Sequence, residues 1–331
     1  MLRNQCGSMR TDQACPPRFD PHAAGIECLH PLRDDFEHVF EQVEGVGFDD
    51  VVAVSQPLVE FGAYLPQVAW DSALSRERVA PPHLGVRVDE VMRHGRVRTA
   101  DELRSHLGLK PTTRVTLLLF AHDDELEAFA DGGQAYLDQV AAGGYSSVTA
   151  PSYSLWMPRR RPDNLLSLRR SMLTFEALQA RGVTVLPRVG WVEQVDMLRF
   201  AEWISANPHV GQVSLDLMTY KAREFSRHTS LLAEFDALTG ERLHYFVNGV
   251  AARKRIVEIY LATAAARVTV TDATMRKAPR IGANGKPQPG FRARTRWLEL
   301  RCERARADVT RIEAISSPEE LLDSAPVEVT A

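Results

Sequence analysis

From residue 114 onward, short apolar runs recur at regular intervals, and this rhythm constrains the fold more than any other feature. The runs are Val115–Phe120, Ser147–Ala150, Val183–Leu186, Val213–Leu217, Leu243–Val247 and Val268–Val270. Their starts lie roughly 24–36 residues apart, the length of one strand plus one helix. Helical stretches fill the gaps. Leu165, Leu168, Met172, Leu173 and Leu178 share one face of a helix over 165–180, and stretches at 197–204, 226–238 and 251–265 follow the same pattern. Gly182 and Gly240 stand where helices stop. Unbroken apolar strands fit a parallel sheet covered on both faces. Adding Val51–Val54 and Arg296–Arg301 brings the expected strands to eight. The expected fold is therefore a (β/α)8 TIM-barrel-like parallel barrel, with an open doubly wound sheet as runner-up. No Gly-x-Gly-x-x-Gly turn follows a strand and no Gly-x-x-x-x-Gly-Lys-Ser/Thr loop occurs, so dinucleotide and P-loop signatures are absent.

The rest of the chain divides around this unit. Residues 1–50 read as a leader and an acidic helix: Asp34 to Asp50 holds seven acids and no Lys or Arg, with Phe36, Val39, Phe40 and Val43 at helical spacing. Residues 51–310 form the barrel, with a small helical insertion at about 86–109. Thr99 and Glu102 make a capping box there, and Lys110-Pro111 closes it. Residues 311–331 form a C-terminal tail. A hydrophobic share of 44% in 331 residues excludes global disorder. No apolar run reaches the ~20 residues of a membrane helix, and the start lacks a secretory signal. The expected setting is cytoplasmic and reducing, with no membrane partner. Cys6, Cys15, Cys28 and Cys302 include no Cys-x-x-Cys pair. With His22 and His30 the first three could hold a metal; the plainer reading is free thiols in the leader, and no metal is assigned.

Barrel chemistry is carried at the C-terminal ends of strands. There the chain offers Ser55-Gln56, His122-Asp123-Asp124, Ser152 to Trp156, Arg188 to Trp191, Asp216, Asn248-Gly249 and Asp272. Asp123 and Asp124 open a helix, where acids also serve as dipole partners. Asp216 lies in or just past a buried run, and a buried carboxylate needs a partner. Asp272 follows a β-branched run and precedes a basic loop. Trp156 and Trp191 could stack on a planar ligand or cap the core. His244 reads more readily as a core histidine than a catalyst.

Positive charge is local. Between Arg267 and Arg306 stand eleven Lys and Arg against three acids, in a chain of net charge −3. Arg276, Lys277, Arg280, Arg292, Arg294 and Arg296 fall in a glycine- and proline-bearing stretch, expected to act as a mobile lid over 273–295. Arg159, Arg160 and Arg161 form a second cluster. Basic loops rimming an active face suit phosphate backbones; the alternative is a solvated charged loop.

Leu243-His-Tyr-Phe-Val-Asn-Gly-Val250, then a helix, then Ala266-Arg-Val-Thr-Val-Thr-Asp-Ala-Thr-Met-Arg-Lys-Ala278 resembles the last units of the tRNA-guanine transglycosylase superfamily, closest to its phage and bacterial branch that places 7-deazaguanines in DNA. The resemblance implies a (β/α)8 barrel, with Asp272 as nucleophile and Asp123 or Asp124 as acid/base residue. That family's Asp-Ser-Gly-Gly motif and cysteine-rich zinc site have no counterpart here, and Ser152 stands where a base-reading acid is expected. Phe120-Ala-His-Asp-Asp124, Ala150-Pro-Ser-Tyr-Ser-Leu-Trp156 and Gly182-Val-Thr-Val-Leu-Pro-Arg-Val-Gly-Trp191 are similar to an uncharacterised domain family of phages and plasmids.

The expected function is a pentosyltransferase that exchanges a guanine-type base in DNA or tRNA through a carboxylate nucleophile, without a cofactor. Asp272, Asp123 and Asp124 are the catalytic candidates. Asp216, Ser152, Trp156, Arg188, Asn248 and Gly249 are the substrate-binding candidates, and the expected partners are DNA or RNA and a modified purine. The alternative is a non-catalytic nucleic-acid-binding protein of a phage or plasmid. A third reading, a metal-dependent small-molecule enzyme using Asp216, His244 and Asp272, ranks lower because His244 begins its strand.

Overall fold

The computed structural model describes residues 36–71, 81–155, 161–218, 220–272 and 291–316. Eight parallel strands form the barrel: β1 (Tyr64–Val68), β2 (His83–Arg87), β5 (Arg114–Leu118), β6 (Ser147–Thr149), β7 (Val185–Leu186), β8 (Gln212–Asp216), β9 (His244–Asn248) and β10 (Val268–Asp272). They pair in the order β7-β6-β5-β2-β1-β10-β9-β8. The ends meet at the bridge between Arg188 and Ser214, where Val189 N–H donates to the Ser214 carbonyl at 2.9 Å. Around the strands lie α4 (Asp123–Asp131), α5 (Gly133–Ala142), α6 (Arg161–Gln179), α7 (Gln194–Ala206), α8 (Ala222–Leu238), α9 (Arg253–Ala262) and α10 (Phe291–Ser316). The fold is a TIM barrel, as the strand rhythm predicts.

Two of the eight expected strands fall elsewhere. Residues 51–54 are extended but join no ladder. They are pinned across the outside by side chains: Ala53 N–H donates to Asn207 Oδ1 (3.0 Å), Val54 N–H to Gln179 Oε1 (3.2 Å), and Trp203 Nε1 to the Val51 carbonyl (2.7 Å). Residues 296–301 belong to α10, whose Leu298, Cys302, Ala305 and Val309 bury one face at helical spacing. The true extra strands are β1 and β2. Pro66-Gln67 interrupts the first, and His83, Gly85 and Arg87 alternate through the second, so neither reads as an apolar run. The stretch expected as a helical insertion thus opens with the end of a barrel strand. It continues through α2 (Val88–Val91), the hairpin β3 (Met92–Arg93) and β4 (Arg96–Val97), and α3 (Ala100–Leu107). Both halves of the capping box form, Thr99 Oγ1 accepting from Glu102 N–H at 3.2 Å and Glu102 from Thr99 N–H at 2.8 Å.

The core has two parts. Outward residues of the strands, such as Leu84, Val86, Val115, Leu117, Val213 and Val247, pack under the helices. Inside the barrel, Leu65, Leu118, Leu186 and Phe246 form a separate plug with Phe120 and Val59. Gly85 makes room for it, since a Cβ there would sit 2.9 Å from Leu118 and 3.2 Å from Leu65. α1 (Phe36–Gln42) and the acidic stretch after it lie near α6: Arg169 donates to the Val43 carbonyl at 2.9 Å and pairs with Asp50. That ion pair draws Asp50 below the ordinary carboxylate range, through the guanidinium hydrogen bond. The acid run therefore includes a direct partner for a buried arginine. α10 continues to Ser316, into the expected tail.

Candidate active site

Above the apolar plug, the inward side chains change character. Gln67 on β1, Arg87 on β2, Arg188 after β7, Asn248 on β9 and Thr271 on β10 are all buried, and Asp216 on β8 is half-buried. They ring the C-terminal mouth of the barrel, where such folds carry chemistry.

Asp216 is the hub. Its Oδ2 accepts from Ser152 Oγ at 3.0 Å; its Oδ1 accepts from Asn248 Nδ2 at 3.1 Å and from Met218 N–H at 3.0 Å. An ionised carboxylate only accepts, so Asn248 must turn its NH2 to Asp216 and its oxygen away. That oxygen takes a hydrogen bond from Gln67 Nε2 at 2.9 Å. Gln67 Nε2 also lies 3.1 Å from Thr271 Oγ1, whose own proton goes to the Leu65 carbonyl at 2.8 Å. The orientation of both amides is thus fixed from one end of the chain to the other. It leaves Gln67 Oε1 buried without a donor.

Two close approaches hold the rim. Gly249 has φ of +85°, and a Cβ on it would come 2.3 Å from the Met218 backbone, so only glycine lets the loops after β8 and β9 meet. The segment after β6 ties two carboxylates together: Ser152 bonds Asp216, while Ser154 N–H donates to Asp123 Oδ1 at 3.0 Å.

Arg188 lies among these groups, 4% exposed, and its Nε and Nη1 have no hydrogen-bond partner. Burial pulls its pKa down, against the upward pull of Asp216, Tyr220 and Asp123. Burial likewise lifts the Tyr220 phenol to about 12. Arg87 is satisfied differently, by Asp89 at 3.0 Å.

The expected residues divide accordingly. Asp123, Ser152, Arg188, Asp216, Asn248 and Gly249 come together. Asp124 is exposed on the first turn of α4. Asp272 ends β10 at the mouth, in register with Pro66; its side chain lies outside the described residues. Trp156, Arg159, Arg160, Arg276, Lys277 and Arg280 lie outside them too, as do Cys6, Cys15 and Cys28, the side chains of Arg292 and Arg294, and most of the expected lid. Arg161 is engaged within the fold, donating to the buried Asp196 at 2.7 Å. Arg296 is exposed but faces Glu303 at 3.1 Å and Glu299 at 3.5 Å. Trp191 is core, 5.5 Å from the Phe235 ring. His244 pairs in register with Gln212 at the start of β8, so it and Asp216 occupy opposite ends of the barrel. Among the described residues, no three His, Cys, Asp or Glu side chains converge as metal ligands.

Sequence reasoning missed Gln67, Thr271 and Arg87. A partial signal exists on β10, where Thr269 and Thr271 alternate with valines, and on β2, where His83 and Arg87 stand four apart; Gln67 is the one polar residue of β1 and has no such pattern.

Neither a known protein-family profile nor a curated protein sequence matches the chain. Among solved structures, it is similar to a mandelate oxidase variant (13% identity, TM-score 0.41, covering 89% of this chain and 90% of that one). It is also similar to the native KDPGal structure (9%, 0.38, 79% and 100%). A third is phosphoribosyl anthranilate isomerase from Thermococcus kodakaraensis (15%, 0.34, 75% and 99%).

Proposed function

We propose that the protein is an enzyme of the barrel mouth that exchanges a guanine-type base in DNA or tRNA through a carboxylate nucleophile. The observation that carries this reading is the Asp216 network, with Asp123 tied to the same loop and Arg188 beside both. A glycosidic exchange needs a carboxylate to attack the sugar and an acid to release the base. It also needs oriented polar groups to hold a planar heterocycle. The Gln67-Asn248-Asp216 chain is such a group, locked before any ligand arrives. The resemblance of 243–250 and 266–278 to the transglycosylase superfamily points the same way.

In this reading Asp272 attacks C1′ of the target nucleotide. The C1′–N bond breaks, its electron pair leaves with the base, and Asp123 supplies the proton that base takes up. An incoming base, deprotonated by the same Asp123, then attacks C1′ and frees the Asp272 carboxylate. Asp216, Asn248 and Gln67 orient the base throughout. No cofactor takes part. The test is incorporation of labelled 7-deazaguanine into duplex DNA and tRNA, comparing wild type with Asp272→Asn and Asp123→Asn. Unchanged incorporation by Asp272→Asn rejects the nucleophile.

A second reading, nucleic-acid binding without catalysis, is favoured by one feature of α10. Trp297 is half-exposed with the Arg301 guanidinium 3.5 Å from its ring centre, and Arg253 and Arg304 line the same cleft. Arg301 also donates to the Ala251 carbonyl at 2.6 Å, beside the loop that follows β9. Binding that survives Asp272→Asn and Asp216→Ala with full biological activity favours this reading over the enzyme. A steep fall in affinity with salt is common to both.

A further inference from the structure

On α10, Trp297, Leu300, Arg301 and Arg304 recur at intervals of three and four, so they share one side of the helix. The neighbouring side, Leu298, Cys302, Ala305 and Val309, is buried in the core. Arg253, the first residue of α9, supplies the facing wall, and these five residues line a cleft of about 270 Å³. That is close to the lower end, roughly 300 Å³, of sites that take small molecules. The lining shares no residue with the Asp216 network at the mouth.

The three arginines have capacity left. Arg253 is held by Asp308, through Nε at 2.7 Å and Nη2 at 2.5 Å. Arg301 gives Nη1 to the Ala251 carbonyl at 2.6 Å and places its Cζ 3.5 Å from the Trp297 ring centre. Its other two nitrogens, and the whole exposed Arg304 guanidinium, have no hydrogen-bond partner among the described residues. Burial pulls the Arg301 pKa down and no carboxylate offsets it, unlike Arg188, on which Asp123 and Asp216 act. Glu299 and Glu303 project from the far side of α10, where Arg296 takes them. Three arginines against the one Asp308 carboxylate thus leave two positive charges unmatched in the cleft.

That surplus says which anion fits. A phosphodiester carries about one negative charge. A phosphate monoester carries about −1.5 to −2 at neutral pH and three acceptor oxygens, enough to meet separate guanidinium groups. Trp297, half-exposed, adds a flat apolar surface beside them. We propose that this cleft is a second binding site, separate from the barrel mouth, for a phosphate monoester carried on a planar ring. Arg304, Arg301 and Arg253 take the phosphate oxygens and Trp297 takes the ring. The site stands whether or not the mouth exchanges bases. It also differs from strand binding at the same cleft, since a diester backbone brings about half the charge per phosphate.

The experiment is calorimetric titration of the intact protein with adenosine 5′-monophosphate, against adenosine, cyclic adenosine 3′,5′-monophosphate and inorganic phosphate. The cyclic form keeps the ring and loses the monoester charge. Wild type, Arg304→Gln, Trp297→Ala and Asp216→Asn are compared. Residues 297 and 304 are exposed, so their variants should melt close to wild type. The monoester is expected to bind wild type about 10-fold or more tightly than the cyclic diester. Arg304→Gln removes that margin. Trp297→Ala weakens the nucleotide by about 10-fold and inorganic phosphate far less. Asp216→Asn binds the nucleotide as wild type does. Short oligothymidylates with and without a 5′-phosphate separate the two sources of the group: a preference for the phosphorylated strand marks a strand end, and none marks a free nucleotide. Equal binding of the monoester and the cyclic diester by wild type overturns the proposal. So does nucleotide binding unchanged in Arg304→Gln, or lost in Asp216→Asn. An unphosphorylated strand that binds more tightly than the nucleotide also overturns it and returns the cleft to strand binding.

Discussion

The two ends of the barrel handle polar groups differently. At the N-terminal end, side chains clasp backbone groups as well as one another. Gln212 clasps Val59 from both sides, accepting from its N–H at 2.8 Å and donating to its carbonyl at 2.7 Å, and His209 meets the Ala53 carbonyl at 2.7 Å. Phe61 stacks on His83, which bonds Thr116 at 2.7 Å, and Thr116 bonds Ser147 at 2.8 Å. At the C-terminal end, side chains mostly satisfy one another, and the chain of bonds ends in unpaired groups on Arg188 and Gln67. The base is a closure that stabilises the barrel. The mouth is a preorganised surface with capacity left over, as expected where the division between stability and chemistry follows strand polarity.

This contrast can be broken by substitution, beginning with the largest effect. Phe246→Ala, in the plug between the two ends, should cost about 4 kcal/mol of unfolding free energy in urea titrations, since a fully buried ring leaves a cavity. A loss under about 1 kcal/mol would mean the plug repacks. Under the proposed function, Asp216→Asn, which keeps the side chain's shape, should lower base exchange by about 10²–10³-fold with a smaller stability loss than Phe246→Ala. A large stability loss with intact turnover would make the mouth structural and erase the comparison.

The pH response should come from buried histidines at both ends. Burial is the chief cause that lowers His83, at the base, to about 4, and it does the same for His228, stacked 3.8 Å from the Tyr220 ring. Unfolded, each titrates near 6.5. Between pH 6.5 and 4 the unfolded chain therefore binds protons that the folded protein refuses, so stability falls as pH drops through that window and is level above it. Each histidine contributes a slope of about 1 kcal/mol per pH unit there. His83→Gln and His228→Gln should each remove roughly half of the combined slope in denaturant titrations at stepped pH. A slope unchanged by His83→Gln would show that the base does not exclude protons. The smallest effect expected is for Gln212→Ala, about 1–2 kcal/mol, from leaving the Val59 backbone pair unmet.

Much of the barrel was legible in the chain. Six strands, the helices between them and the Thr99 cap follow from apolar spacing and local chemistry. Two strands were not, because β1 and β2 turn Gln67, His83 and Arg87 into the lumen, and polar lumen residues erase the apolar signature. At the site, Asp216, Asp123, Ser152, Arg188 and Asn248 stood out as polar residues at strand ends. Gln67 did not, lying mid-run with no local pattern to mark it.

What the sequence determined by itself is therefore what depends on neighbours along the chain: helix faces, strand intervals, caps and the local excess of charge. The tertiary structure decided which charges are spent and which are left over. Arg161 and Arg169, both basic residues of α6, are engaged by acids 35 and 119 positions away, Asp196 and Asp50. Arg188, flanked in sequence by Val189 and Pro187, ends in a closed barrel seam with two nitrogens unpaired. Pairing of a charge depends on what the fold brings within about 3 Å, and spacing along the chain carries no record of that distance.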